Sequence, residues 1–177
     1  TGNGPRQETD DGDQNMKTVR GQLLLEPSES VDINVSADFT SREENCCVTV
    51  TTHRGPTAAI INALTPGGEG VIPVPDPERR LGYSNRSTSQ DIKDKGVQAE
   101  VNWDTPWANE AVLTSITAWR DWQSINGLDF DYSAADVLYR APEEDESLTK
   151  FTTFSQEFRL TGSTEKVDWM FGVFYSD

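Results

Sequence analysis

Long apolar runs are missing from this 177-residue chain. No stretch approaches the roughly 18 consecutive apolar residues that a membrane-crossing helix needs. Helical insertion is thereby excluded, and only strands or the protein surface could meet lipid. A Met-led, Lys/Arg-then-apolar opening of the kind that marks a signal peptide is also missing. The chain opens instead with TGNGPRQETDDGDQN, which reads like the inside of a loop, so a piece of something longer is expected. Basic residues are scarce, 15 against 30 acidic ones, for a net charge of −15. Phosphates would repel such a chain, and nucleic acid is not an expected partner. Apolar residues make up only 34%, against roughly 45–50% with Gly counted in an ordinary domain. Aromatics, at 9%, argue against simple disorder.

Cysteine is limited to one adjacent pair, Cys46 and Cys47. An adjacent pair closes only a small, strained ring, and three readings stay open: a disulfide between the two, free thiols, or bridges to partners elsewhere. Structural zinc takes four ligands, and only His53 lies near, so no metal is expected. An oxidising compartment is favoured.

What the chain does have is alternation. VDINVSADFT (31–40) sets Val31, Ile33, Val35, Ala37 and Phe39 against Asp32, Asn34, Ser36, Asp38 and Thr40. Side chains of a strand alternate between the faces of its sheet, so this stretch is a strand with one apolar and one polar face. VQAEVNWD is as regular, with Val97, Ala99, Val101 and Trp103 opposed by Gln98, Glu100, Asn102 and Asp104. TVRGQLLLE, FSQEFRLTG and VDWMFGVFYSD behave similarly; Gln156 stands as a polar exception beside Phe158 and Leu160. VLTSITAWRDW has no purely apolar face. The expectation is an all-β chain with six antiparallel strands, at about 17–26, 30–42, 95–104, 111–123, 151–162 and 167–177, and no helix.

The connections are unequal in a regular way. EPSES, TPWANE and GSTEK are short and rich in turn residues. Loops of about 43–94 and 123–150 separate the three hairpins, the first holding most of the prolines and the glycine cluster TPGGEG. Structureless loops of that length are uncommon in soluble domains. Outer-membrane barrels expect them: short periplasmic turns, long extracellular loops, and strands alternating apolar-out and polar-in. Ten residues at roughly 3.3 Å each, tilted by about 45°, span about 23 Å, close to the apolar band of about 25 Å. With the short turns at the bottom, Trp103, Trp107 and Trp169 fall at a lower boundary, and Phe39, Trp119, Trp122 and Tyr175 near an upper one. Two aromatic belts suit the two membrane interfaces.

RGQLLLEP, LTSITAWRDW and FSQEFRL…VDWMFGVFYSD, in that order across residues 18–177, resemble the barrel of TonB-dependent outer-membrane receptors. The resemblance implies that the six strands are an arc of a barrel of about 22 strands, in the bacterial outer membrane. It implies active uptake of a scarce, large nutrient, a ferric siderophore or similar, with energy delivered by TonB and its inner-membrane partners. TonB would act through an N-terminal plug region that these residues do not include. The expected partners are then TonB, outer-membrane lipid and the nutrient; no cofactor and no enzymatic activity are implied.

On this reading Val31, Ile33, Val35, Phe39, Val97, Val101 and Trp103 face lipid. Asp32, Asn34, Asp38, Gln98, Glu100, Asn102, Glu157 and Arg159 face the lumen, where Arg159 could pair with a carboxylate on a neighbour. Trp122, Phe130, Tyr132 and Tyr139 are the candidate ligand contacts of the extracellular loops. Other patterns are weaker. DDGDQN starts with calcium-loop spacing at Asp11, Asp13 and Asn15, but Met16 stands where glycine belongs and Gln22 where a bidentate Glu belongs. PEEDE (142–146) reads as a solvated acidic loop tip, TPGGEG lacks the GK[ST] ending of a phosphate loop, and His53 has no catalytic partner at a recognisable spacing. A soluble β-sandwich that binds carbohydrate through its tryptophans is the main rival; a glycosidase lacks any motif that opposes two carboxylates.

Overall fold

The computed structural model describes residues 11–64, 77–80, 82, 84–107, 111–133 and 135–177. The TPGGEG cluster and the first ten residues of the opening loop lie outside the described residues. In chain order the elements are β1 (Asn15–Ser28), β2 (Val31–Asn45), α1 (Ala58–Leu64), a 3-10 turn (Pro77–Arg79), β3 (Ser89–Asp104), β4 (Val112–Asn126), β5 (Leu128–Asp129), β6 (Tyr139–Arg140), α2 (Glu144–Ser147), β7 (Leu148–Ser163) and β8 (Asp168–Ser176). Six of them form one antiparallel sheet in the order β1-β2-β3-β4-β7-β8. The short strands β5 and β6 form a second sheet of two. Among the described residues no helix is long and apolar enough to cross a membrane, which says nothing of strands.

Several strands run longer than their alternation suggests. β3 begins at Ser89 rather than 95, because Ile92 is buried although charged residues flank it at 91 and 93–95. The helix α1, AAIINAL, is a departure from the helix-free expectation; Ala and Leu are good helix formers, but two turns leave no room for an amphipathic period to show. The turn between β7 and β8 is closed by Thr164, whose backbone N–H donates to Val167 O at 2.8 Å while its hydroxyl accepts from Val167 N–H at 3.1 Å. In that hairpin Phe158 stands opposite Val173, Leu160 opposite Phe171 and Gly162 opposite Trp169. Directly opposed residues share a face, so these apolar side chains form cross-strand pairs. Tyr175 stands opposite Gln156, the middle of β7. Along the strand direction Tyr175, on the edge strand β8, is therefore level with the middle of β7.

The chain divides into two compact units. Unit 1 comprises Thr1–Met16, Arg42–Ile92 and Ser124–Thr149; unit 2 comprises Lys17–Ser41, Lys93–Gln123 and Lys150–Asp177. Unit 2 is the two-faced part of the sheet. Among the described residues, Val19 and Phe171 on its apolar face are each 71% exposed, with Leu23, Leu25, Phe39, Val97, Trp103, Phe158 and Val173 also exposed. Among the described residues the buried hydrophobic side chains are only Ile92, Ala111 and Ala135. A soluble domain of this length should bury far more, since apolar burial is its main source of stability.

Candidate functional site

The polar face of unit 2 is an ordered hydrogen-bond surface. Asn102 donates through Nδ2 to Asp32 Oδ1 and to Glu100 Oε1, each at 3.1 Å, and accepts from the Thr114 hydroxyl at 2.7 Å. Arg120 of β4 spans two strands: Nη1 donates to Asp94 Oδ1 at 2.7 Å, and Nη2 to Asp38 Oδ1 at 3.0 Å and Oδ2 at 3.2 Å. Gly96 makes room for it, because a Cβ there would lie 2.9 Å from Arg120 Nη2. The predicted polar set thus includes Asp32, Asp38, Glu100 and Asn102 in direct networks, while Asn34 and Gln98 are exposed. Arg159 lies beside Glu157 of its own strand, Nε to Oε1 at 3.0 Å outside hydrogen-bond geometry. Residues two apart in a strand share a face, so the pair lies together on the polar side. Sequence reading missed Arg120, Asp94 and Thr114. The half-polar alternation of β4 hid the first and third, and Asp94 fell in a presumed loop.

The opposite face carries Val31, Ile33, Val35, Phe39, Val97, Val101 and Trp103 on β2 and β3, as the alternation requires. Several polar side chains on it pair with one another across β4 and β7. Gln156 Nε2 donates to Ser115 Oγ at 3.1 Å, and the Thr117 hydroxyl stands 2.6 Å from Gln156 Oε1. Asp121, almost buried, accepts from Thr152 at 3.0 Å and lies 3.1 Å from Lys150 Nζ and 3.7 Å from Lys95 Nζ.

In unit 1 the segment 127–140 is built on its own carboxylates. Asp129, fully buried, accepts backbone N–H bonds from Asn85, Asp131 and Tyr132. Asp131 accepts from the backbone of Ser133, Val137 and Leu138 and from the Ser133 hydroxyl. Arg86 clamps Asp136 in a fork, Nε to Oδ1 and Nη2 to Oδ2 both at 2.6 Å, and Asn85 Nδ2 adds a bond of 2.8 Å. The hydrogen bonds from Arg86 hold the Asp136 carboxyl below the usual carboxylate range, and the same bonds raise the Arg86 guanidinium. Burial, and then the charge of Asp131, pushes Asp129 above that range.

Three of the four candidate ligand contacts belong to this unit. Tyr139 is exposed with the Arg86 guanidinium 4.0 Å from its ring centroid, Phe130 is exposed with that of Arg140 at 5.9 Å, and Tyr132 holds a positive φ of 49°. Phe130 N–H donates to Leu138 O, and Asp129 pairs with Tyr139, so Phe130 and Tyr139 belong to one small β5–β6 hairpin. Trp122 is not a loop residue. It lies inside β4 on the face of Arg120 and packs on Phe151 with centroids 5.6 Å apart.

Asp13 accepts from Asn45 N–H at 2.6 Å and Asp11 from Val48 N–H at 2.7 Å, so the DDGDQN carboxylates tie backbone together. PEEDE contributes the short helix α2. Cys46 and Cys47 are bonded to each other across a cis peptide. His53 is exposed, and among the described residues no group of three or more His, Cys, Asp or Glu side chains is placed to hold a metal ion. A cleft of about 460 Å³ in unit 1 is lined by Asp13, Glu43, Glu44 and Asp91 among others. No protein-family model, curated protein or solved structure matches the chain.

Proposed function

We propose that these strands form part of the barrel wall of a TonB-dependent outer-membrane receptor, which takes up a scarce, large nutrient such as a ferric siderophore with TonB-transduced energy. The observation that carries this reading is the uncovered apolar face of a six-stranded antiparallel sheet. Water would penalise that exposure; lipid rewards it. Val31, Ile33, Val35, Phe39, Val97, Val101 and Trp103 then meet acyl chains. The self-satisfied Gln156–Thr117–Ser115 group fits the same environment, where polar atoms must find partners within the protein. Asp32, Asn34, Asp38, Gln98, Glu100, Asn102, Glu157 and Arg159 line a wet interior. The segment carrying Phe130, Tyr132 and Tyr139 offers aromatic contact to the nutrient.

The rival sandwich needs a second sheet over the apolar face, and the other sheet among the described residues has two strands of two residues each. Mass spectrometry of separated outer-membrane and soluble fractions tests the reading. Peptides of this chain within a much longer outer-membrane protein support it. A soluble protein of about this size contradicts it.

A further inference from the structure

Two aromatic rings stand on the polar face of unit 2, among charges and hydroxyls. The Thr117–Gln156 and Asp121–Thr152 bonds fix how β4 lies against β7, and both belong to the apolar side. Trp122 and Phe151, each one residue away, therefore point to the polar side. Their ring centroids lie 5.6 Å apart with the planes tilted by 35°. β2, β3, β4 and β7 carry no other ring at polar-face positions. Trp122 is half-buried, and Phe151 is 62% exposed.

The neighbours of the pair are polar and of both charges. Arg120 shares the face of Trp122 two residues along β4, and the same register sets Thr153 of β7 across from it. The Arg120 side chain remains 48% exposed while it binds Asp38 and Asp94. Over the wider face the guanidiniums are those of Arg20, Arg120 and Arg159. The carboxylates of Asp32, Asp38, Asp94, Glu100 and Glu157 outnumber them.

We infer that the Trp122–Phe151 pair is a stacking platform for a neutral sugar ring, which makes the nutrient an oligosaccharide in place of a ferric chelate. The inference deepens the receptor reading and rests on it for the wet interior that this face lines. A pyranose presents an apolar C–H face, which suits an aromatic ring, and a rim of hydroxyls that both donate and accept. Aromatic surface with a few placed polar groups is the ordinary make-up of a small-molecule site. Arg120 and Thr153 supply those polar groups at the edge of the rings. The surplus of carboxylates repels an anionic chelate, and the Arg120 guanidinium repels a cation drawn to the ring faces. A neutral polyol meets neither penalty.

The test uses the full protein in detergent micelles on an immobilised array of neutral oligosaccharides, with an anionic ferric tris-catecholate and spermine as charged alternatives. Titration calorimetry with the tightest array member then compares variants. Phe151→Leu stays apolar but loses the ring, and should weaken binding about tenfold. Phe151→Tyr keeps the ring and should retain the affinity, as should Phe154→Leu, whose ring belongs to the apolar side. Phe151 is exposed, so its ring can be removed without unfolding the strand. An array with no bound member, or an unchanged affinity in Phe151→Leu, overturns the inference. Tighter binding of the ferric complex or of spermine that depends on Phe151 overturns the sugar assignment. Fractionation separates the two levels: an outer-membrane protein that binds no sugar loses only the platform, whereas a soluble protein removes the receptor reading and the interior site with it.

Discussion

Gly162→Ala is the most discriminating single change in the β7–β8 hairpin. Gly162 stands opposite Trp169 and its φ is not in the left-handed region, so alanine has no backbone penalty there. The obstacle is the indole. A Cβ at 162 would lie 2.7 Å from Trp169 Cε2 and 3.0 Å from Cη2, with Cζ2 closer still. Ordinary carbon contacts are about 3.5–4.0 Å, so the ring has to retreat by about 1 Å. Overpacking of this kind costs about 1–3 kcal/mol. Replacing a strand glycine with alanine returns about 0.5–1 kcal/mol through the unfolded chain's lost freedom. The net expectation is a loss of about 0.5–2 kcal/mol. In a Trp169→Leu background the overlap is gone, and Gly162→Ala should change sign to a gain of about 0.5–1 kcal/mol. Urea denaturation of the protein refolded in detergent micelles, followed by circular dichroism, measures both legs of the cycle. Equal effects in the two backgrounds, within about 0.3 kcal/mol, refute the geometry of the hairpin.

Further expectations concern each unit separately. Val35→Arg places a charge on the apolar face and should cost about 2–4 kcal/mol in the membrane-embedded protein; exposed Asn34, one residue away, should accept Arg within about 0.5 kcal/mol. Asn34 is the proper control, because Ser36 on the same face is buried. Arg120→Met strands Asp38 and Asp94 near one another; with all three groups partly exposed and screened, the loss should be about 1–2 kcal/mol and shrink in high salt. In unit 1 the two perturbed carboxylates have opposite signs. Asp129, raised by burial, is relieved of its cost as pH falls through its folded value toward the unfolded one of about 4. Asp136, lowered by Arg86, stabilises above about 4 and loses that contribution as pH drops further. Amide exchange at Asn85 and Val137 should therefore be slowest near that pH, with Asp129→Asn flattening the upper limb and Arg86→Gln the lower; a monotonic profile contradicts the assignment.

The strands were legible where both faces were pure. VDINVSADFT and VQAEVNWD declare their faces residue by residue, and the polar networks of Asp32, Glu100 and Asn102 follow from that parity. Legibility failed where charge interrupts alternation. Asp91, Lys93, Asp94 and Lys95 made the start of β3 look like loop, although Ile92 between them is buried. β4 hid its faces because Ser115, Thr117 and Asp121 are polar residues on the apolar side, each satisfied by a partner on β7 that no local pattern reveals. The segment around DFDYSAADV displayed its aromatics, but the work of its aspartates is done by bonds to backbone N–H groups. Asp and Ser spaced in this way are turn formers, which was the signal available. The Arg86–Asp136 fork joins residues fifty apart, a contact beyond any local pattern.

The central claim is that the apolar face of β2 meets lipid. Fluorescent probes placed singly at Ile33, Val35 and Asn34 in the membrane-reconstituted protein, with quenchers carried on lipid acyl chains, address it directly. The account predicts strong quenching at 33 and 35 and little at 34. Quenching at 34 alone, or at none of the three, contradicts it.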